Sequence, residues 1–237
     1  MNEVNILWLY DDLLDLYGDW ANLLAVTKGL DAMKLSWKID HKSLDDSIDF
    51  TAYQMVYLGP GKARNLGRAA QDFVKRKEEV LAAVERDTVF LVTGNSRLLF
   101  GKSFTGPEGE VFPGIGLFDY TGEETGNVFI SDVLAHPVFA PETASYGFVN
   151  RTAHIHGNEK DFLFTVQKGA GDSEIEGETH EGNLYRNFFG SWQLGPLLVK
   201  NPAILKELCR RLTGERFCDW NTTAEELALK LTLNEIQ

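Results

Sequence analysis

The residues whose types and spacing could do chemistry gather in one stretch, residues 91–101, LVTGNSRLLFG. The apolar run Thr88-Val89-Phe90 leads into it and a short helical pattern leads out. The order is strand, sharp turn, helix. Enzymes set nucleophiles at such turns because the bend exposes one side chain at the end of a sheet. The turn here holds Thr93, Gly94, Asn95 and Ser96, and no cysteine. Thr93 and Ser96 are hydroxyls that become nucleophiles when a base takes the proton. The structural alternative is that both satisfy the turn's backbone while Asn95 tolerates left-handed torsions. A second turn, Gly59-Pro60-Gly61, closes the apolar run 53–58, YQMVYL. Glycines after a strand let backbone N–H groups face an oxyanion or phosphate, although a plain tight turn uses the same residues.

Other constellations are weaker. No G-x-G-x-x-G follows the first apolar run and no G-x-x-x-x-G-K-[ST] occurs, so neither dinucleotide nor P-loop binding is supported. His154 and His156 form an HIH pair that could suit a metal, but strand alternation alone puts both on one face. No metal or cofactor is expected. Asp11, Asp12, Asp15 and Asp19 form an acidic run; on a helix, Asp12, Asp15 and Asp19 share a face that is either solvated or cation-binding. Cys209 in LKELCRRL and Cys218 before Trp220 read as buried structural cysteines.

These groups need a scaffold, and the first hundred residues supply one. Residues 5–10 (NILWLY), 35–41 (LSWKIDH), 53–58 and 88–92 read as strands. Between them a helical spacing begins at Asp11-Asp12, and residues 63–86 form a long amphipathic helix. Such alternation implies a mostly parallel sheet with flanking helices, whose ligands bind beyond the carboxyl ends of the strands. Both glycine-bearing turns fall at such ends.

The second half reads as short strands at 128–134, 146–150, 153–156, 161–167 and 187–192, then helices at 202–212 and 223–231. Gly214 stops the first of these helices, and Thr223 with Glu226 forms a capping box for the second. The acidic stretch 169–181, GAGDSEIEGETHE, reads as a solvated loop. A chain of 237 residues with 43% hydrophobic and 11% aromatic residues suits one domain spanning 1–237. Its net charge of −12 argues against nucleic acid or anionic membrane as a partner. There is no apolar run long enough to span a membrane and no secretory signal, and two cysteines fit a reducing cytoplasm.

Six segments together resemble one family: 9–26 (LYDDLLDLYGDWANLLAV), 56–64 (VYLGPGKAR), 91–101, 113–120 (PGIGLFDY), 146–152 (YGFVNRT) and 184–202 (LYRNFFGSWQLGPLLVKNP). Their content and order resemble the class I (triad-type) glutamine amidotransferases of the cobyric-acid-synthase-like branch, above all the amidotransferase subunits of lipid II isoglutaminyl synthases. The resemblance implies an α/β, class I glutamine amidotransferase-like (flavodoxin-like) fold: a central, mostly parallel sheet flanked by helices, with extra short strands in the C-terminal half.

In that family a cysteine in I-C-G-G-x-Q-L-L-G attacks the side-chain amide of glutamine. A histidine in G-T-Y-L-H-G-P-L-L deprotonates it, and two backbone N–H groups, one from the glycine turn after the third strand, hold the oxyanion. Ammonia then passes to an ATP-binding subunit that resembles a Mur ligase. Laid on this chain, the cysteine falls on Gly94 and the histidine on Leu194. The turn's flanking glycines read Val92 and Ser96, a family arginine falls at about Val128, and E-N-H reads Val149-Asn150-Arg151. By the same resemblance Gly59, Gly61, Asn95 and Gln193 would form the oxyanion site and pocket, with Trp192 beside them. Tyr17-Gly18-Asp19 would position the turn.

Three readings follow. The first is a catalytically silent amidotransferase-like protein that works through a Mur-ligase-like subunit in peptidoglycan precursor amidation. For that docking, Phe188, Phe189 and Trp192 are anchors if exposed. The second is a ligand-binding module using the remodelled pocket. The third is a hydrolase with Thr93 or Ser96 as nucleophile, its base swung in from His154 or His156.

Overall fold

Buried apolar runs build the first sheet. The computed structural model describes residues 3–173, 179–214 and 220–236. Strands β1 (Glu3–Leu9), β2 (Ser36–Lys42), β3 (Met55–Leu58) and β4 (Val89–Thr93) are parallel, in the order β2-β1-β3-β4. Every residue of MVYL in β3 and VFLVT in β4 is buried, the pattern of central parallel strands covered on both faces. The order reverses between β1 and β3, which opens a crevice at the carboxyl ends of the strands.

The helices between them depart in detail from the sequence reading. The helix expected from Asp11 starts only at Ala21, as α1 (Ala21–Ala32). Tyr17 and Gly18 take left-handed torsions (φ 62° and 67°), which no helix accommodates, so residues 11–20 run as turns. The long helix at 63–86 divides into α2 (Ala63–Phe73) and α3 (Lys77–Glu85) around a 3-10 turn at Val74–Arg76.

After β4 comes a 3-10 segment, Gly94–Phe100, and then a second sheet. It contains β5 (Ser103–Thr105), β6 (Val111–Pro113), β7 (Thr121–Pro137), β8 (Ser145–His156), β9 (Phe164–Lys168) and β10 (His180–Glu181). The separate runs 146–150 and 153–156 merge into β8, which pairs antiparallel with β7 as a long ribbon interrupted by a bulge between Glu124 and Phe129. The chain then returns to the first sheet. Strand β11 (Asn183–Tyr185) turns into β12 (Phe188–Ser191), which pairs parallel with β4.

Three helices finish the chain: α4 (Leu197–Lys200), α5 (Pro202–Thr213) and α6 (Thr223–Ile236). Gly214 caps α5 at φ 66°, a conformation glycine adopts without a Cβ penalty. The α6 cap is shifted by one residue. Thr222, not Thr223, bonds Glu226, through its hydroxyl at 2.6 Å. Cys209 is buried in α5; Cys218 lies outside the described residues.

The core under the 3-10 segment is aromatic. Phe100 and Phe188 sit edge to face at 4.7 Å, and Phe118 meets Phe188 at 5.1 Å. Each such pair contributes about 0.5–1.5 kcal/mol beyond area burial. Phe188, Phe189 and Trp192 are all buried, so none is the exposed anchor that docking would need. Among the described residues, no helix is long and apolar enough to cross a membrane.

Candidate functional site

Sheet register brings the two glycine-bearing turns together. Leu58 pairs with Val92, so the chain leaves β3 and β4 side by side at their carboxyl ends. Ser191 pairs with Thr93 on the other flank, and Leu194 follows a few residues later. Gly94 sits at the turn with φ 61°. That is the strained conformation of a strand-to-helix elbow, which glycine adopts at little cost. A β-carbon built on Gly94 would stand 2.7 Å from Pro60 Cβ and 3.4 Å from Leu194 Cδ2. Positions 94 and 194 are therefore neighbours in the fold.

Beside them lies a cleft of about 120 Å³ between the two sheets. Pro60, Gly61, Gly94 and Asn95 form the wall from the first sheet; Val128 and Asn150–Thr152 form the wall from the β7–β8 ribbon. Tyr17 and Leu194 complete it. Leu194 joins the walls: its N–H donates to Phe148 O at 2.8 Å, an isolated bridge between the sheets. A larger apolar groove of about 230 Å³ runs along α1, α4 and α5 to Trp220, but it lies away from these turns.

Neither hydroxyl of the turn faces the cleft. Thr93 is fully buried and donates to Asp19 Oδ2 at 2.5 Å. Ser96 is fully buried and donates to Gly59 O. Asn95 bonds Gly61 twice: its Oδ1 accepts the Gly61 N–H at 2.9 Å, and its Nδ2 donates to Gly61 O at 2.8 Å. Gln193 was expected at the pocket and does not line it. It is buried, and its side chain donates instead to Glu181 at 3.1 Å.

Asp19 is the hub behind the turn. It also accepts from Tyr57 at 2.9 Å and Asn22 at 3.0 Å. Burial pushes its carboxyl up to about 6, against the pull of the Thr93, Tyr57 and Asn22 hydrogen bonds. The acidic run therefore does not share a helix face. Asp19 turns inward, whereas Asp11 and Asp12 bind His41 at 2.8 Å and Ser43 at 2.5 Å. Of the histidine pair, His154 is buried and His156 exposed, and among the described residues no group of three or more His, Cys, Asp or Glu could hold a metal.

A buried ionic cluster escaped the sequence reading. Arg97, fully buried, binds both oxygens of Asp172 at 2.6 and 3.1 Å, Glu181 at 3.3 Å and Asn183 at 2.7 Å. Asp172 and Glu181 belong to the stretch read as a solvated loop. Both are buried, while residues 174–178 between them are outside the described residues. Burial raises the Glu181 carboxyl although Arg97 pulls it down. The guanidinium groups of Arg97 and Arg151 flank the Trp192 ring at 5.5 and 5.1 Å. The available signal was one arginine inside an apolar turn-helix segment, which needs buried acids somewhere in the chain.

No protein-family model matches the chain. Among curated proteins it is 30% identical over 208 residues to "Lipid II isoglutaminyl synthase (glutamine-hydrolyzing) subunit GatD" of Streptococcus pneumoniae, covering 87% of this chain and 79% of that protein. It is 26% identical over 216 residues to the protein of the same name from Staphylococcus aureus, covering 89% and 86%. Among solved structures, a glutamine amidotransferase crystal structure superposes with a TM-score of 0.52 at 14% identity, over 87% of this chain and 98% of the other. That likeness carries the fold, and the sequence likeness to the streptococcal protein carries the family. The chain belongs to the GatD family of glutamine amidotransferase-like proteins.

Proposed function

We propose that this protein is a catalytically silent GatD-like subunit that acts through a protein partner in lipid II amidation. The observation that carries this reading is the pair Gly94 and Leu194. They meet at the elbow, and neither has a group that can attack an amide or move a proton. Glycine offers no nucleophile and leucine takes no proton. Enzymes that lose such a unit keep only the residual effect of binding. Thr93 and Ser96 do not replace it, since both hydroxyls are buried and engaged away from the cleft.

The relatives are named as subunits, which supports a role in a complex. The partner we propose is a Mur-ligase-like, ATP-binding subunit, and the setting is the cytoplasm. A second reading is supported by the cleft itself. It stays open, with Asn150 and Thr152 on one wall, and a small polar molecule would fit there.

The test is glutamate release from glutamine by the purified chain, together with co-expression of a Mur-ligase-like protein and gel filtration. The expected results are the buffer rate and co-elution. Turnover that Thr93→Ala or Ser96→Ala abolishes would overturn the silent reading. Separate elution, with a small molecule bound beside Gly94, would favour the second.

A further inference from the structure

We infer that Asn95 and Ser96 latch the Gly59–Gly61 turn shut against Gly94, so that the Gly61 amide, a donor such a turn can offer an anion, is taken by the protein itself. The inference deepens the silent-site reading, and rests on it for the claim that nothing is turned over there.

Three hydrogen bonds form the latch. Gly61 N–H donates to Asn95 Oδ1 at 2.9 Å, Asn95 Nδ2 donates to Gly61 O at 2.8 Å, and Ser96 Oγ donates to Gly59 O. The Asn95 amide thus satisfies both polar groups of one distant residue, as a paired strand would. Its partner lies 34 positions away, so this is no local Asx turn. Tethered on both sides, Pro60 is pressed onto the elbow, 2.7 Å from where a β-carbon on Gly94 would stand. That is closer than carbon atoms approach without moving. The other side of the turn is lined by the 13–14 segment. A β-carbon on Gly61 would meet the flexible Leu14 side chain at 2.3 Å and Leu13 O at 3.1 Å, so that segment lies in contact behind it. Gly94 is then the one residue that position tolerates while the latch is closed, both by its torsion and by its lack of a side chain.

Two measurements on the full chain test this. The first is hydrogen exchange of the Gly61 amide by NMR. In the native chain it is protected. Asn95→Ala speeds it about five- to tenfold, the effect of losing the hydrogen bond to that amide. Fast Gly61 exchange in the native chain, or no change in Asn95→Ala, overturns the latch, and the native-chain result stands even if a variant fails to fold. The second is a double-mutant cycle. Gly94→Ala lowers Tm less in an Asn95→Ala background, where two of the three bonds holding Pro60 are gone, than in the native background. Additive losses overturn the latch. Glutamate release by the native chain would overturn the silent reading and leave the exchange result untouched, so the two failures are distinguishable.

Discussion

The hydroxyl of Thr93 donates to the carboxylate of Asp19 at 2.5 Å, joining the end of β4 to a turn 74 positions earlier. Thr93 is therefore a strut behind the elbow. Thr93→Ala is expected to destabilise the fold by about 1–3 kcal/mol, because the buried Asp19 loses a donor, and to leave glutamate release at the buffer rate. Urea unfolding and a coupled glutamate assay check both halves.

Asp19 also makes stability depend on pH in a direction opposite to most carboxylates. Its native value of about 6 lies above the unfolded value of 3.8, so the native state holds a proton that the unfolded chain releases. Its contribution is complete below pH 3.8 and is lost as pH rises through 6, a change of about 3 kcal/mol. Asp19→Asn removes that term. Relative to the native chain, the variant should gain about 3 kcal/mol between pH 3.8 and pH 7. Urea melts at the two ends of the window decide it, and a constant difference would refute the assignment.

Arg97→Met should destabilise by about 3–5 kcal/mol, since it leaves the carboxylates of Asp172 and Glu181 buried without their cation. Arg186 bridges Asp87 at 2.9 Å and Glu85 at 3.1 Å, but its side chain is 38% exposed. Arg186→Met should change stability by less than about 1 kcal/mol. Similar losses in the two variants would show that the Arg97 cluster is not the desolvated network described.

On the proposed reading, installing a cysteine–histidine pair as Gly94→Cys with Leu194→His should not produce glutaminase activity. Pro60 stands in the way of a new β-carbon, and the Gly61 amide is held by Asn95. A site missing its preorganised donors gains little from the reacting groups alone. Glutamate release above the buffer rate in this double variant would show that the turn opens more readily than its hydrogen bonds imply.

Much of this arrangement was legible before the structure. The four parallel strands and the two glycine-bearing turns at their carboxyl ends followed from apolar periodicity and turn chemistry, because both are local signals. The contact between positions 94 and 194 came through the resemblance, since no local pattern links residues a hundred apart. What failed had long-range causes. Spacing alone could not show that Tyr17 and Gly18 break the first helical pattern. Charge alone placed Asp172 and Glu181 in water, because their partner Arg97 lies 75 and 84 positions away. Gln193 looked like a pocket residue by position, but its side chain is buried and bonded to Glu181, outside the cleft lining.

The bridge between Leu194 and Phe148 has a mechanical consequence. One wall of the cleft belongs to the parallel sheet and the other to the β7–β8 ribbon, and this backbone hydrogen bond ties the two beside Gly94. The ribbon is long, with β7 running 17 residues and β8 running 12, and Asn201 holds it a second time through both backbone groups of Tyr146. Because the tie is a backbone hydrogen bond, it holds the two walls together whichever side chain stands at position 194.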